Sequence, residues 1–186
     1  MIFGMTTANY TAAHVLLSLV GIASGLVALW GMFRGKMLEG ITTIFLVATV
    51  LTSITGFGFP FDHLLPAHKV GIISLVVLAI AIPARYMFHL AGVWRPVYIV
   101  GSAIALYLNV FVLVVQAFEK VPALRALAPT QKESPFLVAQ LAVLLVFIAV
   151  TTFAVKNFHV VGARTACRCK HLLINPPSNL EQGDSV

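Results

Sequence analysis

Five apolar runs of about 20 residues, almost free of charge, constrain this chain more than any other feature. They cover residues 12–33, 41–59, 70–90, 97–118 and 136–155. A helix needs about 20 mostly apolar residues to cross the hydrocarbon core of a bilayer. No water reaches the backbone there, so a spanning run of this length must close its own hydrogen bonds as an α-helix. The expected fold is therefore all-α: a polytopic transmembrane bundle over residues 1–158 with about five spans. Composition agrees. Hydrophobic residues make up 60% of the chain and charged residues only 10%, where a soluble domain carries about 25% charged residues. The mean hydropathy is +0.98. Such a chain cannot cover a globule with polar groups, so lipid must be its solvent. Its 186 residues leave no room for a second sizeable domain. The third run carries Pro83 and then Arg85. Its last turn is expected to kink and to sit at the membrane interface.

Charge sets the expected orientation. With the N-terminus outside, the inner segments hold Arg34, Lys36, Arg85, Arg95, Lys156, Arg164, Arg168 and Lys170. The outer segments hold Lys69, Lys120, Arg125 and Lys132. Basic residues favour the inner side, so the chain is read as N-out and C-in. Trp30, Tyr86 and Trp94 fall near the inner boundary and Tyr10 near the outer one, where aromatic belts form. The net charge of +6 comes from residues at the ends of apolar runs, a membrane pattern and not a nucleic-acid one. Residues 1–13 contain no Lys or Arg, so the first run is expected to stay in the mature protein. Residues 159–186, with "NPPSN" and late acids, read as a disordered cytoplasmic tail. The connector "EKVPALRALAPTQKESP" has three prolines and a short apolar piece, and is expected to form a partly ordered lid or re-entrant element.

Polar residues inside apolar runs need partners. Ser102, Asn109 and Gln116 recur every seven residues, which places them on nearly one helix face. An unsatisfied amide at the depth of Asn109 costs several kcal/mol, so that stripe should face other helices. His14, Ser18, Gly21 and Gly25 form a face on the first span, and Gly21 with Gly25 makes a GxxxG that permits close approach. Thr49, Thr52, Ser53 and Gly56 share a face on the second, with Thr42 below. His68, Gly71 and Ser74 begin one on the third. The fifth offers little beyond Gln140 and Thr151, so it is read as the most peripheral helix.

In the N-out topology the outer end gathers His14, Asp62, His63, His68, Gln116, Glu119, Gln131, Glu133 and Gln140. Three uses follow from that chemistry. His14 and His68 are candidate ligands of a b-type haem, since imidazoles from two helices can hold its iron. Asp62 and His63 are candidate ligands of a divalent metal. Asn109, Gln116, Gln140 and Thr52 are candidate lining residues of an outward-facing polar pocket for a quinone, lipid or small amphiphile. Distance argues against a second haem held by His89 and His159, because His68 and His89 lie about 31 Å apart along a straight helix, far for direct haem-to-haem transfer; His89 and His159 read as interfacial. "CRCKH" supplies Cys167, Cys169 and His171, one ligand short of structural zinc. No Walker, Rossmann, HExxH or GxSxG pattern is present, so soluble-type enzyme chemistry has no foothold. No inverted repeat supports a secondary transporter.

The stretch "YLNVFVLVVQAFEKVPALRALAPTQKESPF", with "TSITGFGFPF" and "PAHKVGIISL" upstream, resembles small uncharacterised bacterial integral membrane proteins. The resemblance covers the bundle and not the tail. It implies a bacterial inner membrane and no particular activity. The functional expectation is a membrane protein with an outward-facing polar pocket. It would bind a small ligand, or serve as a subunit of a membrane complex or homo-oligomer. The alternatives are a b-type haem redox protein and, third, a small transporter.

Overall fold

The computed structural model describes residues 6–59 and 66–157. Six helices follow one another: α1 (Thr7–Phe33), α2 (Glu39–Gly56), α3 (Pro66–Tyr86), α4 (Trp94–Lys120), α5 (Pro122–Leu127) and α6 (Ser134–Asn157). All but α5 are long and apolar enough to cross a membrane. The chain is an all-α, multi-pass membrane protein.

The spans lie where the apolar runs lie, but local hydrogen bonds move their ends. α1 starts earlier than the apolar run because Thr6 caps it, its Oγ1 accepting from the Asn9 N–H at 3.3 Å. α2 opens on Glu39, an acid at the positive end of the helix dipole. It stops at Gly56, where Phe57 and Gly58 donate to Ile54 and Thr55 carbonyls in tight three-residue turns. α3 opens on Pro66, a residue pre-set for a first helical position. It runs through Pro83 and ends at Tyr86, short of residue 90. There Met87 and Phe88 both donate to the Pro83 carbonyl, and His89 and Leu90 turn left-handed with φ 47° and 58°. The turn folds Leu90 back into the core.

α1–α2, α2–α3, α3–α4, α4–α6 and α6–α1 pack as neighbours and close a ring. α4 also touches α1, α2 and α5, so it is the hub. The main core lies toward the turns at 34–38 and 87–93, here called the arginine end, and includes Leu29, Met32, Phe45, Leu78, Tyr98, Ile99 and Leu106. A second small core at the opposite, histidine end joins Phe118, Ala128 and Phe136, with Leu124 against it. It pins the long connector to α4 and α6; α5 itself buries nothing. α6 is the least buried span, with 17% of its apolar window covered. Arg85, near the end of α3, is 8% exposed because its side chain turns inward onto Tyr98 of α4.

Close packing centres on Gly25. A Cβ there would stand 2.6 Å from Leu106 Cδ1 and 2.7 Å from the Phe45 ring. Gly25→Ala should therefore destabilise the bundle by about 1–3 kcal/mol through overpacking, despite a helix-propensity gain of up to about 1 kcal/mol. Gly40→Ala, with nothing within 4 Å of its added methyl, should leave stability unchanged or raised. Thermal unfolding in detergent reads both; equal behaviour of the two variants would remove Gly25 from this role.

Candidate functional site

The fourth-span stripe does face its neighbours. Ser102 is buried, and Asn109 Nδ2 donates to Thr49 Oγ1 of α2 at 3.3 Å. Gln116, one heptad on, is half-buried. The Thr/Ser face of α2 continues the polar seam toward α3, where Ser53 Oγ donates to Ser74 Oγ at 3.3 Å. Thr52 is buried, and its Oγ1 has no hydrogen-bond partner among the described residues. Gly71 lets α3 approach Phe57 and the Ser53 carbonyl.

Two side chains of α1 bond to one residue of α2, Thr55. The Tyr10 hydroxyl donates to the Thr55 carbonyl at 2.6 Å, and His14 Nδ1 lies 2.8 Å from Thr55 Oγ1. Thr55 has one hydroxyl hydrogen, and it points back along its own helix to the Leu51 or Thr52 carbonyl, at 2.8 and 3.2 Å. The hydroxyl must then accept from His14, which assigns the proton to Nδ1 when the ring is neutral. Nε2 is left with a lone pair, the form that ligates metals or accepts a hydrogen bond. Phe59 meets both the Tyr10 and His14 rings edge-on, at 5.1 and 5.3 Å. Thr55 and Phe59 were not singled out from sequence, and Tyr10 only as an aromatic near the outer boundary. The readable signal was the i, i+4 spacing of Tyr10 and His14 on one face of α1.

His68 is buried at the start of α3 and packs on Phe57, ring centroids 5.8 Å apart. His14 thus bonds to Thr55 and meets Phe59, while His68 packs on Phe57, just beyond the end of α2. Asp62 and His63 lie outside the described residues, as do His159, Cys167, Cys169, His171 and the rest of the tail. Among the described residues no group of three or more His, Cys, Asp or Glu side chains comes together.

Two side-chain amides fasten the other flank of α4. Gln140 Nε2 donates to the Phe111 carbonyl at 3.2 Å, and Gln131 Nε2 to the Val115 carbonyl at 3.3 Å. Those carbonyls stand one turn apart on a single stripe of α4. Gln140 Oε1 is buried with no partner among the described residues. Packing along α4 changes over its length. Tyr98, Ile99, Ser102, Ala103, Ala105 and Leu106 are at most 4% exposed, whereas no residue from 107 to 117 is buried. Two surface grooves of about 220 and 230 Å³ run between α2 and α3 and between α4 and α6. Asn109, Gln116, Gln140 and Thr52 line neither of them.

The connector's polar turn is held by Glu133. Its Oε1 accepts from the Thr130 N–H and hydroxyl at 3.1 and 2.8 Å, and Oε2 from the Lys132 N–H at 3.0 Å. The Thr130 hydroxyl, and then these backbone donors, hold the Glu133 carboxyl below its ordinary pKa.

Comparison with protein-family models, curated proteins and solved structures found no match. What is established is a polytopic membrane protein.

Two outcomes test this geometry. Asn109→Leu should lower stability in detergent by about 0.6 kcal/mol, and at most about 1.7, the range for inter-helix hydrogen bonds in membranes. Thr49→Val should cost a similar amount and add nothing on top of it; fully additive losses would mean that the two residues do not interact. The Glu133 turn is favoured above the unfolded carboxyl pKa, about 4.3, and loses that support as pH falls through its lower folded value. Amide exchange at Thr130 and Lys132 should accelerate over that acid window, and in Glu133→Gln the acceleration should vanish.

Proposed function

We propose that this chain is a bacterial inner-membrane protein, N-terminus outside, that binds a small amphiphile at its histidine end. The observation that carries this reading is the change in packing along α4. The hub helix is sealed over one half and half-exposed over the other, and Asn109 and Gln116 lie in the half-exposed part. Buried polar atoms with no partner, Thr52 Oγ1 and Gln140 Oε1, lie on the helices around it, and buried polar groups ordinarily have one. His14 Nε2 supplies an acceptor at the same end. The ligand class that fits is a small apolar molecule carrying a hydroxyl or other hydrogen-bond donor.

A b-type haem between His14 and His68 is the alternative; nothing beyond the two histidines' place at one end of the bundle supports it. Transport is less well supported as well, since Asn109 is tied to Thr49 across a helix contact. A subunit role in a membrane complex is compatible with ligand binding, the exposed apolar face of α6 being available to lipid or to another chain.

Native mass spectrometry of the full chain isolated from membranes tests the proposal. Wild type should carry a non-phospholipid adduct, and His14→Leu should retain about tenfold less, the factor for losing one good hydrogen bond of about 1.4 kcal/mol. Thr55→Val loses the same helix tether but keeps the imidazole, so it separates ligand loss from packing loss. No adduct on wild type, or the same adduct on His14→Leu, would overturn the reading.

A further inference from the structure

Among the described residues, the arginine end carries a buried charge with no counter-charge. Arg85 is 8% exposed, and a buried cation is costly unless paired. Its Nη1 donates to Met37 Sδ at 3.1 Å and to the Tyr98 hydroxyl at 3.5 Å. A thioether is a weak acceptor, and 3.5 Å is long for an N–H···O bond. The rings of Tyr86 and Tyr98, 5.2 and 5.7 Å from the guanidinium carbon, add cation–π contacts. No carboxylate pairs with it among the described residues. Glu39 is the one described acid at this end, and it is exposed. More positive charge gathers nearby. Arg95 precedes Tyr98 by three residues on α4, one turn nearer the end, and its Nε is buried with no partner among the described residues. Lys36 adjoins Met37 in the turn that touches Arg85. The missing charge is an anion, and a guanidinium fork with unused donors suits a phosphate.

An apolar groove starts at the same place. It runs between α2 and α3, with a volume of about 220 Å³, walled by Leu46, Val47, Val50 and Leu51 on one side and Ile82 and Tyr86 on the other. Tyr86 joins groove and charge. Its ring closes the end of the groove and stands against Arg85, and its hydroxyl lies 3.1 Å from Thr43 Oγ1. A molecule fitting both features has an apolar chain and a negative phosphate at one end.

We propose that this end of the bundle binds an anionic phospholipid, with one acyl chain in the α2–α3 groove and the phosphate drawn to Arg85 and its neighbouring cations. The site is distinct from the histidine end and does not depend on the function proposed for it.

The test uses the full chain in mild detergent, with retained lipid read by native mass spectrometry and stability by thermal unfolding. Phosphatidylglycerol should be retained about tenfold better than phosphatidylcholine, the factor expected for one charge-assisted contact, and should raise the unfolding temperature. Arg85→Gln should erase the preference. Val47→Trp should weaken retention while leaving Arg85 in place, since Val47 is 53% exposed on the groove wall and a larger side chain there fills the groove. Should Arg85→Gln fail to fold, Val47→Trp still decides. Equal retention of the two lipids, full retention by Val47→Trp, or displacement of phosphatidylglycerol by millimolar inorganic phosphate would overturn the proposal, the last by showing a site for a free anion.

Discussion

The close approach of three helices at Gly25 is the contact on which the rest of the bundle depends. Phe45 of α2 and Leu106 of α4 occupy the space a side chain on α1 would take. In lipid there is no hydrophobic force between helices, because acyl chains are as apolar as the side chains they would replace. Association then rests on van der Waals contact, and contact is densest where a glycine removes the spacer. Around this point α4 buries its face from Tyr98 to Leu106. The hub helix is held there, and the remaining helices take their places in the ring around it.

From that sealed half the two ends diverge in chemistry. The histidine end is joined by neutral tethers: Tyr10 and His14 on Thr55, Asn109 on Thr49, Gln131 and Gln140 on α4 carbonyls. Each contributes on the order of 0.6 kcal/mol, too little to hold helices together singly. Their effect is on register, since each fits only one rotation and height of a helix against its neighbour. Among the described residues the arginine end has instead a buried guanidinium beside two tyrosine rings, more cations around it, and one exposed acid. One end can offer hydrogen-bond acceptors to a neutral ligand, the other a positive field to an anion.

Much of this was legible in the sequence, and the misses have physical causes. The spans were readable because desolvation acts residue by residue and needs no partner to be evaluated. Asn109 was readable for the same reason: an amide in an apolar run must find a partner, although Thr49 could be named only as one of several hydroxyls. Helix ends were less legible. They are set by single bonds such as Thr6 Oγ1 to Asn9, and by the left-handed turn at His89 and Leu90, which apolar periodicity does not register. Thr55 escaped notice because a threonine in a threonine-rich span carries no local mark of its partners. That Tyr98 and Met37 would fold over Arg85 was not legible, because it depends on residues in other elements.

The sequence by itself determined the solvent, the number of spans, their secondary structure and the need to satisfy each polar group within them. These follow from transfer energies and backbone hydrogen bonding, which are properties of the chain one segment at a time. Only the tertiary structure decided which helix became the hub, which nitrogen of His14 keeps its lone pair, that His14 meets Thr55 and His68 meets Phe57, and that Arg85 is enclosed with no counter-charge beside it among the described residues. Those outcomes turn on how helices rotate and approach one another. In lipid that is governed by the shapes of several side chains meeting at once, and no single segment contains that information.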